Sequence, residues 1–182
     1  MRKWFFLSVF FLVAFALIAF LYFATSAFPY EKPAAPQVIG ELRAASDVSD
    51  VVLQADHIAY FLSELGAYQL HNSPLSSNTP KIEVVADERV FGAEVVSGKV
   101  LVQEKSLIEL DLRIIASQEE IVNALRSEDV KGYVQQSVTD GKTRIEQAGS
   151  YSQLFSKGYL NLYNELTGKS MTGNIVKIFS KG

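Results

Sequence analysis

The chain contains no cysteine and only two histidines, His57 and His71. Without cysteine it can form no disulfide and no thiolate metal site, and it has no cysteine nucleophile. The lipid-modified cysteine of a bacterial lipoprotein is excluded for the same reason. Two histidines are too few for a histidine-rich metal centre, so we expect neither a metal nor a cofactor.

Charge is also missing from residues 4–30, which include a 20-residue apolar core from Trp4 to Phe23. A helix rises about 1.5 Å per residue, so this core spans about 30 Å, the hydrocarbon thickness of a bilayer. The pattern predicts a transmembrane anchor in residues 1–28, with membrane contact through residues 4–28. A signal peptide cleaved after Ala27 is the alternative, but its apolar region is typically only about 7–15 residues long.

Positive charges predict the orientation of the anchor. Arg2 and Lys3 precede it, whereas Lys32 is the only basic residue between it and Arg43. The positive-inside rule then places the amino terminus in the cytoplasm and the carboxyl-terminal domain outside it. If the segment is cleaved, the domain is secreted.

The remaining chain is acidic, which bears on its partners. Setting Arg2 and Lys3 aside leaves 15 of the 17 basic residues against all 20 acidic ones, a formal net charge of −5. This balance argues against nucleic acid as a partner, because phosphate backbones are bound by basic surfaces. Three prolines in residues 29–40 predict a semi-rigid tether, and residues 41–182 then form one globular domain.

The hydrophobic period changes along this domain. Apolar residues spaced three and four apart predict a helix in residues 47–70 that ends near Gly66 or frays to Leu70, and short β-branched segments predict strands at 81–87, 89–97 and 99–104. Strict alternation over 107–117 predicts a fourth strand, with Ile108 and Leu110 on its buried face and Glu109 and Asp111 on the other. Two short helices opening at Ser117 and Asp129, an edge strand at 142–147, a closing helix at 150–167 and an extended tail at 174–179 complete the prediction. The fold class is α+β, a mainly antiparallel sheet covered by helices.

The sequence contains no complete catalytic motif. Gly141-Lys142-Thr143 resembles the end of a phosphate-binding loop, but Gln136 stands where that loop needs its first glycine. The adjacent Asp56 and His57 point about 100° apart on a helix and are interpreted as a surface pair. Glu119 and Glu120 are explained by a helix start capped by Ser117. We therefore predict no enzyme and assign no catalytic residue.

The closing helix carries the candidate ligand site. Tyr151, Phe155, Tyr159 and Tyr163 recur every four residues and form an aromatic ridge. The plainer interpretation is that this ridge packs on the sheet. A helix that is apolar over more than about 100° can also line a site for an apolar ligand. The proposed lining residues are Tyr151, Leu154, Phe155, Tyr159 and Leu162.

Several of these residues resemble the sterol carrier protein 2 family, over about residues 47–168. In that family a strand leads into a serine-capped helix, and a Gly-Lys-x-x-Ile/Val-x-Gly stretch leads into the closing helix. Ser117, Gly141, Lys142 and Ile145 match this pattern, and the last glycine is displaced to Gly149. The resemblance implies an apolar tunnel for sterols, fatty acids or similar lipids. The family is usually soluble and intracellular and shares no catalytic residue set.

Two functions follow as hypotheses. The first is a membrane-anchored, non-catalytic domain that binds a lipid or other apolar molecule between the sheet and the closing helix. The alternative is an envelope structural or protein-interaction module without a small-molecule ligand.

Overall fold

The computed structural model describes residues 30–44, 51–73 and 77–168, together with Val13, Phe15 and Asp47. The chain from Glu31 onward is a compact unit, distinct from Met1–Tyr30. Val13 and Phe15 are helical; the rest of the predicted anchor and the predicted tail strand at 174–179 lie outside the described residues. No helix in the described part of the chain is both long and apolar enough to cross a membrane.

The unit contains helices and strands in mixed order. The helices are α1 (Gln37–Ala44), α2 (Ala55–Glu64), α3 (Gln118–Arg126), α4 (Val130–Thr139), α5 (Tyr151–Ser156) and α6 (Tyr159–Thr167), with a 3₁₀ turn at Ala67–Gln69. The strands are β1 (Lys81–Ala86), β2 (Arg89–Val96), β3 (Lys99–Gln103), β4 (Leu112–Ala116) and β5 (Arg144–Gln147). Helix α1 takes up the last part of the segment predicted as a tether, because Ile39 and Leu42 are buried in the core.

The five strands form one mixed sheet in the order β3-β2-β1-β4-β5. The β1–β2, β2–β3 and β4–β5 pairs are antiparallel, which agrees with the predicted α+β class. Strands β1 and β4 pair in parallel, with Ile82 opposite Leu112 and Ala86 opposite Ala116. This parallel pair arises because residues 104–111 carry the chain back across the sheet before β4 begins.

The returning segment crosses the face of the sheet opposite the helices. Leu107 packs over Gly92, where an added Cβ would lie 2.4 Å from the Leu107 Cγ atom. The buried Glu83 carboxylate accepts hydrogen bonds from Ser106 Oγ and Arg113 Nε at 2.6 and 2.8 Å. The prediction of one strand over 107–117 is therefore wrong in its first half, since the strand begins at Leu112 and Ile108 is 83% exposed.

The other face of the sheet is buried beneath the helices. Alternate residues of β1, Ile82, Val84 and Ala86, are almost fully buried, as are Leu112 and Ile114 of β4. Period-2 alternation thus places one apolar face in the core, as expected for a sheet with a single helical cover. The buried apolar side chains run from Ile39 to Leu166, so the unit has a hydrophobic core of its own.

Helix starts agree with the sequence where a short polar side chain supplies the cap. Ser117, Asp129 and Ser150 each accept a hydrogen bond from a backbone N–H in the first turn of α3, α4 and α5. The first predicted helix starts later than expected, at Ala55, where the Gln54 N–H donates a hydrogen bond to His57 Nδ1. It ends close to Gly66, as predicted, and a 3₁₀ turn follows this left-handed glycine.

Candidate functional site

The segment predicted as one closing helix is two helices. Helix α5 ends at Ser156 and α6 begins at Tyr159. Between them Gly158 adopts a left-handed conformation with φ 86°, which breaks the helical hydrogen-bond ladder. The prediction of a continuous helix over 150–167, and of an unbroken aromatic ridge along it, is therefore wrong. We call residues 157–158 the hinge.

Three ionisable side chains meet in the interior at the hinge. Lys157 Nζ donates to Asp111 Oδ1 and Oδ2 at 2.9 and 2.8 Å and to the Thr79 carbonyl at 3.1 Å. Tyr159 Oη donates to Asp111 Oδ2 at 3.2 Å. We call Asp111, Lys157 and Tyr159 the Asp111 cluster; none of the three is more than 5% exposed. A buried charge needs this kind of pairing, because an unpaired one carries a large desolvation cost.

Asp111 also holds the chain on both sides of α5. Its carbonyl accepts the N–H groups of Ala148 and Gly149, each at 3.0 Å, while its carboxylate binds Lys157 and Tyr159 on the far side. Gly149 lies close to Asp111, since an added Cβ would be 3.3 Å from the Asp111 Cα atom. The six-residue helix α5 is thus fixed at both ends by a single residue, and Leu154 is its one buried residue.

Burial dominates the electrostatics of the cluster. It raises the pKa of the Tyr159 hydroxyl well above its ordinary value, and the neighbouring Asp111 carboxylate raises this pKa further. Tyr159 therefore stays protonated and serves as a hydrogen-bond donor. The cluster is a structural arrangement of buried charges, with its donors and acceptors directed at one another.

A pocket of about 150 Å³ lies beside the hinge. Its wall is formed by Leu65, Gly66, Gln69, Leu70, His71, Gly158, Asn161, Leu162 and Glu165. The His71 ring packs against Gly158, with Cε1 3.3 Å from the position that a Cβ would occupy. His71 Nδ1 is buried and has no hydrogen-bond partner among the described residues. A small pocket with a mixed polar and apolar lining thus adjoins the break between α5 and α6, and the buried His71 Nδ1, unpartnered within the described part of the chain, belongs to one of its lining residues.

The five predicted lining residues separate into two groups. Leu154, Tyr159 and Leu162 belong to the buried core, and Leu162 also lines the hinge pocket. Tyr151 is half-buried at the start of α5 and packs against the core. Phe155 is 63% exposed on the outside of α5. The structure brings the core residues together around the hinge and leaves Phe155 facing solvent.

The other residues that the sequence analysis discusses as candidate sites have structural roles. His57 is buried, not on the surface as predicted, because its Nδ1 atom accepts the Gln54 N–H at 3.0 Å and caps α2. Thr143 is buried and its hydroxyl lies 2.7 Å from Ser137 Oγ, so the Gly141-Lys142-Thr143 turn joins α4 to β5. A group of three or more His, Asp or Glu side chains that could hold a metal is not found within the described residues.

Sequence reasoning missed the residues that define the hinge. The alternation over 107–117 predicts Asp111 on the face of a strand opposite the buried one, and Lys157 falls within the segment predicted as a continuous closing helix. Neither residue carries a local signal, because 46 positions separate the two partners. Gly158 was the available clue, since a glycine within a helical pattern can mark a break.

Comparison with solved structures finds a protein titled "UbiJ-SCP2 Ubiquinone synthesis protein". The two chains are 12% identical, the TM-score is 0.32, and the match covers 76% of this chain and 98% of the other. A similarity at this level carries no argument about the family or the ligand of this chain. No protein-family model matches the chain, and no curated protein matches it.

Proposed function

We propose that the domain binds an apolar ligand at the junction of α5 and α6 and performs no catalysis. The observation that carries this proposal is the combination of the hinge pocket with α5, a short helix fixed mainly at its ends. Movement of α5 would extend the pocket from Leu162, which already lines it, towards the apolar side chain of Leu154. The sterol carrier protein 2 resemblance motivates the same ligand class.

The present volume of the pocket limits what it can hold without such movement. Ligand sites for drug-sized molecules are typically about 300–1,000 Å³, and this pocket is about 150 Å³. A lipid chain therefore requires α5 to move outward. Phe155, exposed on α5, would then contact the chain where it enters.

The absence of catalysis is proposed from the state of the ionisable groups. Asp111, Lys157 and Tyr159 are directed at one another and are almost fully buried. A general acid or base must come within about 3 Å of the atom it protonates. In the described conformation these three groups are not positioned to do so.

We also propose that residues 4–28 anchor the domain in a membrane, with the domain outside the cytoplasm. The support is the uncharged 20-residue apolar core and the basic residues that precede it. An anchored domain would sample apolar molecules that leave the adjacent bilayer. Its acidic surface excludes nucleic acid from the proposed partners.

The binding proposal is tested with the full chain in phosphatidylcholine vesicles. A fatty-chain probe carrying a diazirine is added, photoactivated and mapped by mass spectrometry. We expect labelling of residues 151–167 that saturates and is competed by the unlabelled compound. Labelling restricted to residues 4–28, or labelling that never saturates, would contradict the proposal.

Two exposed residues provide a matched pair of variants. Phe155→Ala removes an aromatic ring at the proposed entrance and should raise the half-saturating probe concentration about tenfold, through lost apolar burial. Ile108→Ala removes a comparably exposed side chain on the opposite face of the sheet and should leave it unchanged. Equal effects of the two substitutions would remove Phe155 from the site.

One observation favours the alternative function as a protein-interaction module. Leu101 of the edge strand β3 is 54% exposed, and Ile108 lies in the segment that crosses the same face of the sheet. An apolar surface beside an edge strand can pair with a partner protein. In that case Leu101→Asp should abolish a crosslink formed in membranes, whereas Phe155→Ala should not affect it.

A further inference from the structure

The chemistry of the hinge pocket bears on which apolar ligands it accepts. His71 Nδ1 is a nitrogen without a partner among the described residues. A buried polar atom normally has a hydrogen-bond partner, and an exception calls for an explanation. The ring packs against Gly158, whose missing side chain leaves Nδ1 3.4 Å from the position of a Cβ. The unsatisfied atom therefore lies at the joint that the proposed movement would open.

The rest of the pocket wall disfavours an anionic head group. Among the described residues that line it there is no lysine or arginine, and the Glu165 carboxylate in the wall is paired with Lys131 Nζ. Lys157 is close in sequence, but its ammonium group is directed at Asp111 and the Thr79 carbonyl. A carboxylate or phosphate would therefore meet no unpaired cation among the described residues of the wall and would lie near the Glu165 carboxylate. A neutral hydroxyl could donate a hydrogen bond to an imidazole nitrogen.

The volume of the pocket limits the size of the ligand group that it can hold. A cavity of about 150 Å³ holds roughly one six-membered carbon ring, and this pocket has that volume. It can therefore take the polar end of an amphiphile, whereas a long chain must lie elsewhere. Leu65, Leu70 and Leu162 supply the apolar part of its wall.

We infer that the ligand is a neutral, hydroxyl-bearing amphiphile whose hydroxyl donates a hydrogen bond to His71 Nδ1, with its chain beneath α5. This inference rests on the proposed function and specifies the ligand class at the same site. Because Gly158 covers Nδ1, the hydroxyl reaches it only when the hinge shifts. Binding of the head group and outward movement of α5 are then one event.

Competition between two ligands of equal chain length tests the inference. The full chain in phosphatidylcholine vesicles at pH 8 is labelled with a diazirine derivative of hexadecanol. Hexadecanol and hexadecanoic acid compete, with each concentration expressed per mole of vesicle lipid. We expect the alcohol to displace labelling of residues 151–167 at a concentration about three- to tenfold lower, the range that one hydrogen bond provides.

Variants at His71 assign this preference to the imidazole. His71→Phe keeps a planar ring but removes the acceptor, and should make alcohol and acid equally effective. His71→Gln keeps an acceptor and should retain a preference for the alcohol. Gln69→Ala, at the same pocket, should leave the preference unchanged. If His71→Phe fails to fold, the ratio measured with the natural chain still decides the inference.

The outcomes separate this inference from the proposed function. Saturable labelling of residues 151–167 with equal competition, or with the acid more effective, overturns the hydroxyl assignment and leaves apolar binding standing. Labelling of these residues that does not saturate, and that neither competitor displaces, overturns both the hydroxyl assignment and the proposed binding of an apolar ligand. An alcohol preference that persists in His71→Phe overturns the role of His71.

Discussion

At the scale of single residues, the Asp111 cluster ties distant parts of the chain together. The Asp111 carboxylate accepts the Lys81 N–H at 2.7 Å as well as the protons of Lys157 and Tyr159. These bonds join the start of β1, the approach to β4 and the hinge. Removing one of the two charges would leave the other buried without an opposite charge. This costs more free energy than the pair itself contributes to stability.

Replacing Lys157 with methionine should therefore lower the free energy of unfolding by about 3–5 kcal/mol. The measurement is urea denaturation of the chain from Glu31 onward, which has its own core. As a control, Lys131→Ala removes the exposed ion pair with Glu165 and should cost less than about 1 kcal/mol. A loss at Lys157 as small as that at Lys131 would mean that the cluster does not stabilise the fold.

His57 provides a separate prediction about pH. Burial lowers its pKa below the ordinary value of 6.5, although a backbone hydrogen bond with Val38 opposes this shift. The unfolded chain therefore binds a proton at a higher pH than the folded chain, so stability should fall as pH decreases below about 6.5.

At Glu83, burial raises the pKa, but hydrogen bonds from Ser106 and Arg113 outweigh it and lower the value below 4.5. The Glu83 contribution is thus lost only in more acidic solution.

His57→Gln should reduce the loss of stability between pH 7 and pH 5. Glutamine at this position of the first helical turn can still bond to the Gln54 N–H, as in an ordinary capping box, but it does not titrate. Thermal unfolding at several pH values measures the slope for both chains. Identical slopes would assign the pH dependence to another group.

At the scale of elements, glycine conformation decides where the closing segment bends. Gly158 and Gly168 both adopt left-handed angles, with φ 86° and 62°. At Gly168 no atom of the described residues lies within 4 Å of where a Cβ would be, whereas a Cβ added at Gly158 would lie 3.3 Å from the His71 Cε1 atom. The two positions share a backbone requirement and differ in their surroundings.

Gly158→Ala should destabilise the unit more than Gly168→Ala. The left-handed conformation alone costs an alanine about 1–2 kcal/mol at either position, and contact with His71 adds to the cost at Gly158. Urea midpoints of the two variants give the comparison. Equal losses would show that the His71 ring moves away without cost.

At the scale of the whole molecule, the folded unit and the predicted anchor are separate parts. The buried apolar residues run from Ile39 to Leu166, and the compact unit begins at Glu31. Its helices cover one face of the sheet, and the segment at 104–111 lies over part of the other. The hinge and the Asp111 cluster are therefore properties of this unit alone.

The proposed orientation can be tested because the chain has no cysteine. Lys142→Cys places a single thiol in the exposed turn between α4 and β5. If the domain lies outside the cytoplasm, a membrane-impermeant maleimide should label it in cells whose inner membrane is intact. Labelling that appears only after lysis would place the domain in the cytoplasm, and recovery of the chain in the medium would indicate cleavage.

Much of the local structure was predictable, because its causes are local. The caps at Ser117, Asp129 and Ser150 are determined within one helical turn. The reversal at Gly98 and the end of α6 at Gly168 follow from glycine, which adopts positive φ without strain. The alternation of Leu112, Ile114 and Ala116 correctly predicted the buried face of β4.

By itself, the sequence determined the α+β class, the order of the helices and strands from α2 to β5 and the absence of thiol chemistry, since periodicity and composition act over short ranges. The parallel β1–β4 pair, the burial of Asp111 and the position of His71 against Gly158 were decided only by the tertiary structure. Each brings together residues far apart in the chain. Their energies depend on burial and on contacts across elements, which a pattern of neighbouring residues does not contain.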